Sequence, residues 1–142
     1  MEVAIVRKQL LLTMERVRRG AQERRQRAEQ TERAYEVFLT EVATPVMRQL
    51  AAALKAERLP FAVSTPGGSI RLSSDNVRED FIEVRLESGV DPPEVVARIS
   101  RSRGSRTLTG ERPIKPGASP DAISEDDVLT FLLTALEPWL ER

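Results

Sequence analysis

Between Val3 and Val42 the chain has no proline and one glycine, Gly20. The stretch is rich in Leu, Glu, Gln, Arg and Ala, all strong helix formers. It predicts one helix of roughly 60 Å at 1.5 Å per residue. That single feature constrains the fold more than any other, because a small domain cannot cover so long a rod. One heptad register places Val3, Arg7, Leu10, Met14, Val17, Ala21, Arg24, Ala28, Thr31, Tyr35, Phe38 and Val42 on a shared seam. Nine of these twelve are apolar, the pattern of a helix that packs along its length against another helix.

The seam is weakest in its middle. Between Arg18 and Arg33 it consists of Ala21, Arg24, Ala28 and Thr31. Small residues allow close approach but bury little area, and Arg24 must meet an acid or reach water. A solvated stalk, a self-associating coiled coil and a basic helix lying on nucleic acid all fit this segment. Glu15, Glu23, Glu29 and Glu32 weigh against the last. The expected oligomer interface is Val3, Leu10, Met14, Val17, Ala21, Ala28, Tyr35 and Phe38, in a homodimer.

Thr44-Pro45 punctuates the rod. Threonine can cap a helix and proline suits its first turn. The sequence therefore predicts a break near Pro45 and a short second helix to about Glu57, with Val46, Leu50, Ala53 and Leu54 on its apolar side.

Strand signals follow. "FAVSTPGGSIRL" reads as a hairpin, with Pro66-Gly67 at the centre of a type II turn and Gly67 taking positive φ. "SSDN" is a second turn. In "DFIEVRLES", Ile82, Val84 and Leu86 alternate with Glu83, Arg85 and Glu87, as in a strand with one wet face. After "SGVDPP", the segment "EVVARISRSRGSRTLTGERPI" reads as a final hairpin turning on Gly104-Ser105, glycine first as a type II′ turn prefers. That register sets Arg103 opposite Arg106 and Arg101 opposite Leu108, gathering three arginines at the tip. Like charges facing each other across a sheet cost something under ~1 kcal/mol per pair. The favoured expectation is that the tip is neutralised, within the chain or across a subunit boundary, by the following acidic run, Asp121, Glu125, Asp126 and Asp127. Plain solvated charge is the next reading, and Arg101, Arg103 and Arg106 are also a candidate anion site. No aromatic residue lies in this hairpin to stack on bases, which disfavours single-stranded nucleic acid.

The last element is a helix. Ser124 and Asp127 match a capping box, and Val128, Phe131, Leu132, Ala135 and Leu136 form its apolar stripe. Leu129 and Leu133 widen that stripe. Pro138 should end or kink the helix near Glu137, with Trp139 and Leu140 as a final anchor.

Formal charge sums to zero but is zoned. Residues 1–58 carry 12 basic and 8 acidic side chains, 59–97 carry 3 and 7, 98–115 carry 6 and 1, and 116–142 carry 1 and 6. Neighbouring zones of opposite sign can neutralise one another inside the fold or between subunits. Histidine and cysteine are both absent, which removes the commonest general base, the commonest metal ligands and any disulfide. "TPGGS" lacks the lysine of a phosphate loop, and the acidic clusters do not have the spacing of a calcium loop. The N-terminus has neither a long hydrophobic run nor a small-residue cleavage site, so neither a signal peptide nor a membrane span is expected. A cysteine-free chain fits a cytoplasmic location.

The sequence thus points to an α+β fold. A long coiled-coil-like N-terminal helix leads into a four- to five-stranded antiparallel sheet, and a C-terminal helix packs on that sheet. Residues 1–44 form an oligomerisation segment and residues 45–142 a small domain. The expected function is that of a non-enzymatic interaction or scaffold module, without metal or cofactor, that binds a protein partner. The alternative is nucleic-acid or other anion binding through the arginine hairpin and the basic helix.

Overall fold

In a computed structural model describing residues 1–141, helix α1 spans Val3–Phe38 and helix α2 spans Thr44–Ala56. Between them, Leu39–Ala43 form a π-helical turn, and the backbone stays right-handed helical throughout. The expected break near Pro45 therefore takes the form of a widened turn. Proline has no N–H to donate, and its ring collides with the carbonyl four residues back. The π turn relieves this locally, as such bulges do. The Thr44 N–H reaches Leu39 O, one residue further back than in an α-helix. The Thr44 hydroxyl donates to the same carbonyl at 2.6 Å, so this threonine bonds backwards and does not act as an N-cap.

Helix α2 ends in a Schellman motif without glycine. Arg58 takes the left-handed conformation at φ 64°. The Leu59 N–H bonds to Leu54 O at 2.8 Å and the Arg58 N–H to Lys55 O at 3.0 Å.

Five strands follow as an antiparallel meander in sequence order: β1 (Phe61–Ser64), β2 (Ile70–Ser74), β3 (Phe81–Glu87), β4 (Glu94–Arg103) and β5 (Arg106–Pro113). The β1–β2 turn closes with Ser69 N–H on Pro66 O at 2.8 Å. Gly68, at φ 75°, supplies the left-handed position that the sequence assigned to Gly67. The β4–β5 register is the one read from sequence, with Arg103 paired to Arg106 and Arg101 to Leu108. Gly104 has φ 63° and Ser105 does not have positive φ, the order a II′ turn needs.

The inner face of the sheet carries Ile70, Leu72, Ile82, Val84, Val95 and Ala97. They are packed in one core with Phe38, Met47, Leu50, Val128, Leu132 and Leu136 from the helices. The core draws on residues from both sides of the 44/45 boundary. The outer face is drier than its alternation suggests. Glu83 is only 8% exposed. It accepts from Arg71 Nε at 3.1 Å and Ser69 Oγ at 3.2 Å. The Arg71 guanidinium also lies 3.9 Å over the Phe81 ring. Long neighbouring side chains fold across the carboxylate, which a period-two pattern cannot reveal.

Helix α3 (Glu125–Leu140) begins with the expected capping box. The Asp127 N–H donates to Ser124 Oγ at 3.1 Å, and the Ser124 N–H donates to Asp127 Oδ2 at 2.9 Å. The Ser124 backbone N–H first, and then Lys115 Nζ at 3.2 Å from Oδ2, hold the Asp127 carboxyl below its usual range. Of the expected end or kink at Pro138, the end near Glu137 does not occur: α3 runs on to Leu140. The proline stands in the last turn, where its missing N–H removes one helical hydrogen bond. Trp139 holds that turn down, packing edge-on to Phe61 with ring centres 5.8 Å apart.

Candidate self-association surface

The first half of α1 stands clear of the domain. Every residue from Met1 to Arg19 is exposed, including Val3, Leu10, Met14 and Val17 of the predicted seam. Leu10 is 57% and Val17 56% exposed. Ile5, Val6, Leu11 and Leu12, which the heptad register left off the seam, are exposed as well. At 100° per residue, Val3, Val6, Leu10, Met14 and Val17 fall within an arc of about 80°. The free end therefore carries an apolar stripe on this arc, with Ile5, Leu11 and Leu12 exposed outside it.

The same stripe continues downward and meets the protein's own domain. Gly20, Ala21, Ala28 and Thr31 are half-buried, and Tyr35 and Phe38 are 5% and 2% exposed. This placement corrects the expected interface. Tyr35 and Phe38 belong to the intramolecular core, and no partner chain can reach them without unfolding it. Ala21 and Ala28, with Arg24, line a shallow cleft against Ser88, Val90, Asp91 and Pro93 of the β3–β4 loop. Small seam residues suit that role, since they let a loop approach the helix backbone. Arg27 ties the loop to the helix through Asp91 Oδ2 at 3.1 Å, and this bond raises the Arg27 pKa. Arg24 remains exposed, its charge in water.

Tyr35 fixes the base of the rod. Its hydroxyl donates to Gly68 O at 2.7 Å, tying α1 to the β1–β2 turn. Burial pushes the phenol up to about 12, with the Glu83 charge adding to the shift.

The arginine tip lies elsewhere, at the far end of the β4–β5 hairpin. Among the described residues, Arg101, Arg103 and Arg106 take part in no ion pair. The acidic run expected to neutralise them sits at the start of α3, where Asp127 meets Lys115 Nζ at 3.2 Å. The acids that share a surface depression with Arg101 are Glu111 of the hairpin itself and Glu137 and Glu141 at the C-terminal end of the same helix. The hairpin's one acid, Glu111, turns to Arg85 at 2.6 Å. Among the described residues, Asp126 and Asp127 form no ion pair with the tip within the chain.

Among the described residues no cluster of three or more acidic side chains is placed to hold a metal ion, and no helix is long and apolar enough to cross a membrane. Comparison with known proteins finds no matching family model, no similar curated protein and no similar solved structure.

Proposed function

We propose that this protein is a non-enzymatic interaction module that self-associates through the free end of α1 and offers its sheet domain to a protein partner. The observation that carries the reading is the exposed stripe Val3, Val6, Leu10, Met14 and Val17 on a helix with nothing packed against it. Most helical stability in proteins comes from packing an amphipathic face, which this free end lacks, so it gains further order chiefly by burying such a stripe. A continuous apolar strip of this kind on a folded chain marks an interaction site. On the domain, Leu129, Leu133 and Leu140 form a second exposed row along α3, suited to a partner's apolar groove.

The test is the solution mass at tens of micromolar. Self-association predicts twice 15.9 kDa for the dimer. Leu10→Glu with Val17→Glu should return the mass to 15.9 kDa while leaving the circular dichroism of the sheet domain intact. A monomeric wild-type chain would refute the reading.

A second reading is favoured by one observation, the absence of any ion pair on Arg101, Arg103 and Arg106 among the described residues. Three unpaired guanidinium groups at a hairpin tip form a ready phosphate contact. On this reading the tip binds nucleic acid or another polyanion, with affinity falling steeply as salt rises.

A further inference from the structure

We infer that the occupant of the α1 stripe is a second copy of the chain running antiparallel, with a two-fold axis at Leu10. This rests on the self-association proposed above and specifies its geometry. The first argument is spacing. Along Val3, Val6, Leu10, Met14 and Val17 the steps are three, four, four and three residues, a palindrome about Leu10. Turned end for end, the stripe superimposes on itself: Val3 meets Val17, Val6 meets Met14, and Leu10 meets Leu10. In an isologous two-fold contact the same patch serves both subunits, which is the self-complementarity this spacing supplies.

The second argument is the domain's own position. It covers the same helical face from Ala21 downward. A parallel partner would have to run its helix through the loop Ser88–Pro93 and the core beneath Tyr35. An antiparallel partner carries its own domain away from that loop: its stripe, Val3 to Val17, pairs with residues 17 to 3, all of them above the first half-buried position, Gly20. The two domains sit at opposite ends of the paired rods and do not collide.

Charge points the same way. In parallel pairing Arg7, a seam position, would face its own copy, as would Arg18 at the stripe's edge. In antiparallel pairing Arg7 lies level with the neutral Thr13 of the second copy, while Glu15 is paired to Arg19 of its own helix at 2.9 Å. Two rods overlapping over about 25 Å bury on the order of 1,000 Å² in total, the lower end for a specific interface. The dimer should therefore be reversible and concentration-dependent.

The chain contains no cysteine, so single cysteines report pairing without background. Disulfides form only where Cα atoms approach within about 7 Å. Under mild oxidation of the full chain, Leu10→Cys should cross-link to itself. An equimolar mixture of Val3→Cys and Val17→Cys should give a mixed disulfide dimer. Val3→Cys alone should yield about tenfold less cross-linked product, because its copies lie roughly 21 Å apart. Efficient self-cross-linking of Val3→Cys would overturn the antiparallel arrangement in favour of a parallel one. A dimeric mass with no cross-link at any of the three sites would also overturn it, placing the contact on another surface while self-association stands. A monomeric wild-type mass would overturn the self-association itself.

Discussion

The two halves of α1 carry apolar residues on the same helical face and meet different neighbours. Below Gly20 the stripe is pressed against the domain's own loop and core; above it, the same stripe faces water. Residue size follows the difference. Where the loop approaches, the seam holds Ala21 and Ala28; where the helix is free, it holds Val3, Leu10, Met14 and Val17. Large side chains on an uncovered face are the costlier choice for a chain that remains alone, since each leaves transferable apolar area in water. A heptad pattern thus specifies that a stripe will be covered without specifying by what.

The largest expected effect comes from truncating one side chain in each half. Phe38→Ala should destabilise the fold by about 3–5 kcal/mol, through lost transfer energy and a cavity among Met47 and the sheet residues. Leu10→Ala should change the unfolding free energy of the dilute, monomeric chain by less than about 0.5 kcal/mol, as at an exposed surface site. Equal effects would mean that the two halves are not distinct.

An intermediate effect concerns pH, and it sharpens the packed half. Tyr35 is the only tyrosine, so phenolate absorbance reports it alone. Its folded pKa of about 12 lies above the ordinary value of 10.0. The folded state therefore holds its proton more tightly. The contribution is fully present below pH 10 and is lost as pH rises toward 12. Native protein should show phenolate near pH 12 and denatured protein near pH 10. Titration near 10 in the native state would mean that the base of the rod is open to water.

The smallest effect is expected at the hairpin tip. Arg103→Glu with Arg106→Glu should shift stability by no more than about 0.5 kcal/mol, because no ion pair is broken and both residues are exposed. A loss well beyond that, rescued by Asp126→Arg with Asp127→Arg, would restore the internal pairing that the sequence suggested. Retention of wild-type protein on DNA at physiological salt, abolished by the same reversal, would advance the anion-binding reading.

Elements with local determinants were legible in the sequence. Gly104-Ser105 fixed the register of the last hairpin, and Ser124 with Asp127 fixed the start of α3, because turn and cap chemistry act within a few residues. Elements that depend on distant neighbours were not. Gly67 and Gly68 are adjacent, and only the strand pairing decides which takes positive φ. Arg58 in a left-handed position has no local signal at all. Pro138 stays helical because Trp139 is anchored on Phe61, far away in sequence. The candidate surface was half legible for the same reason. The apolar period was visible over the whole of α1, but that the domain folds back onto Tyr35 and Phe38 is a tertiary fact. Val6 escaped the heptad register because the free stripe follows three-four-four-three spacing and the seam follows four-three.

The most direct measurement is amide hydrogen exchange along α1 at two protein concentrations. One stripe with two different neighbours predicts two behaviours. Amides of residues 28–42 should be equally protected in dilute and concentrated samples, because their cover is intramolecular. Amides of residues 5–17 should exchange rapidly when dilute and become protected as concentration rises, because their cover is a second copy. Protection of 5–17 that does not change with concentration, or that is lost together with 28–42, would contradict the account.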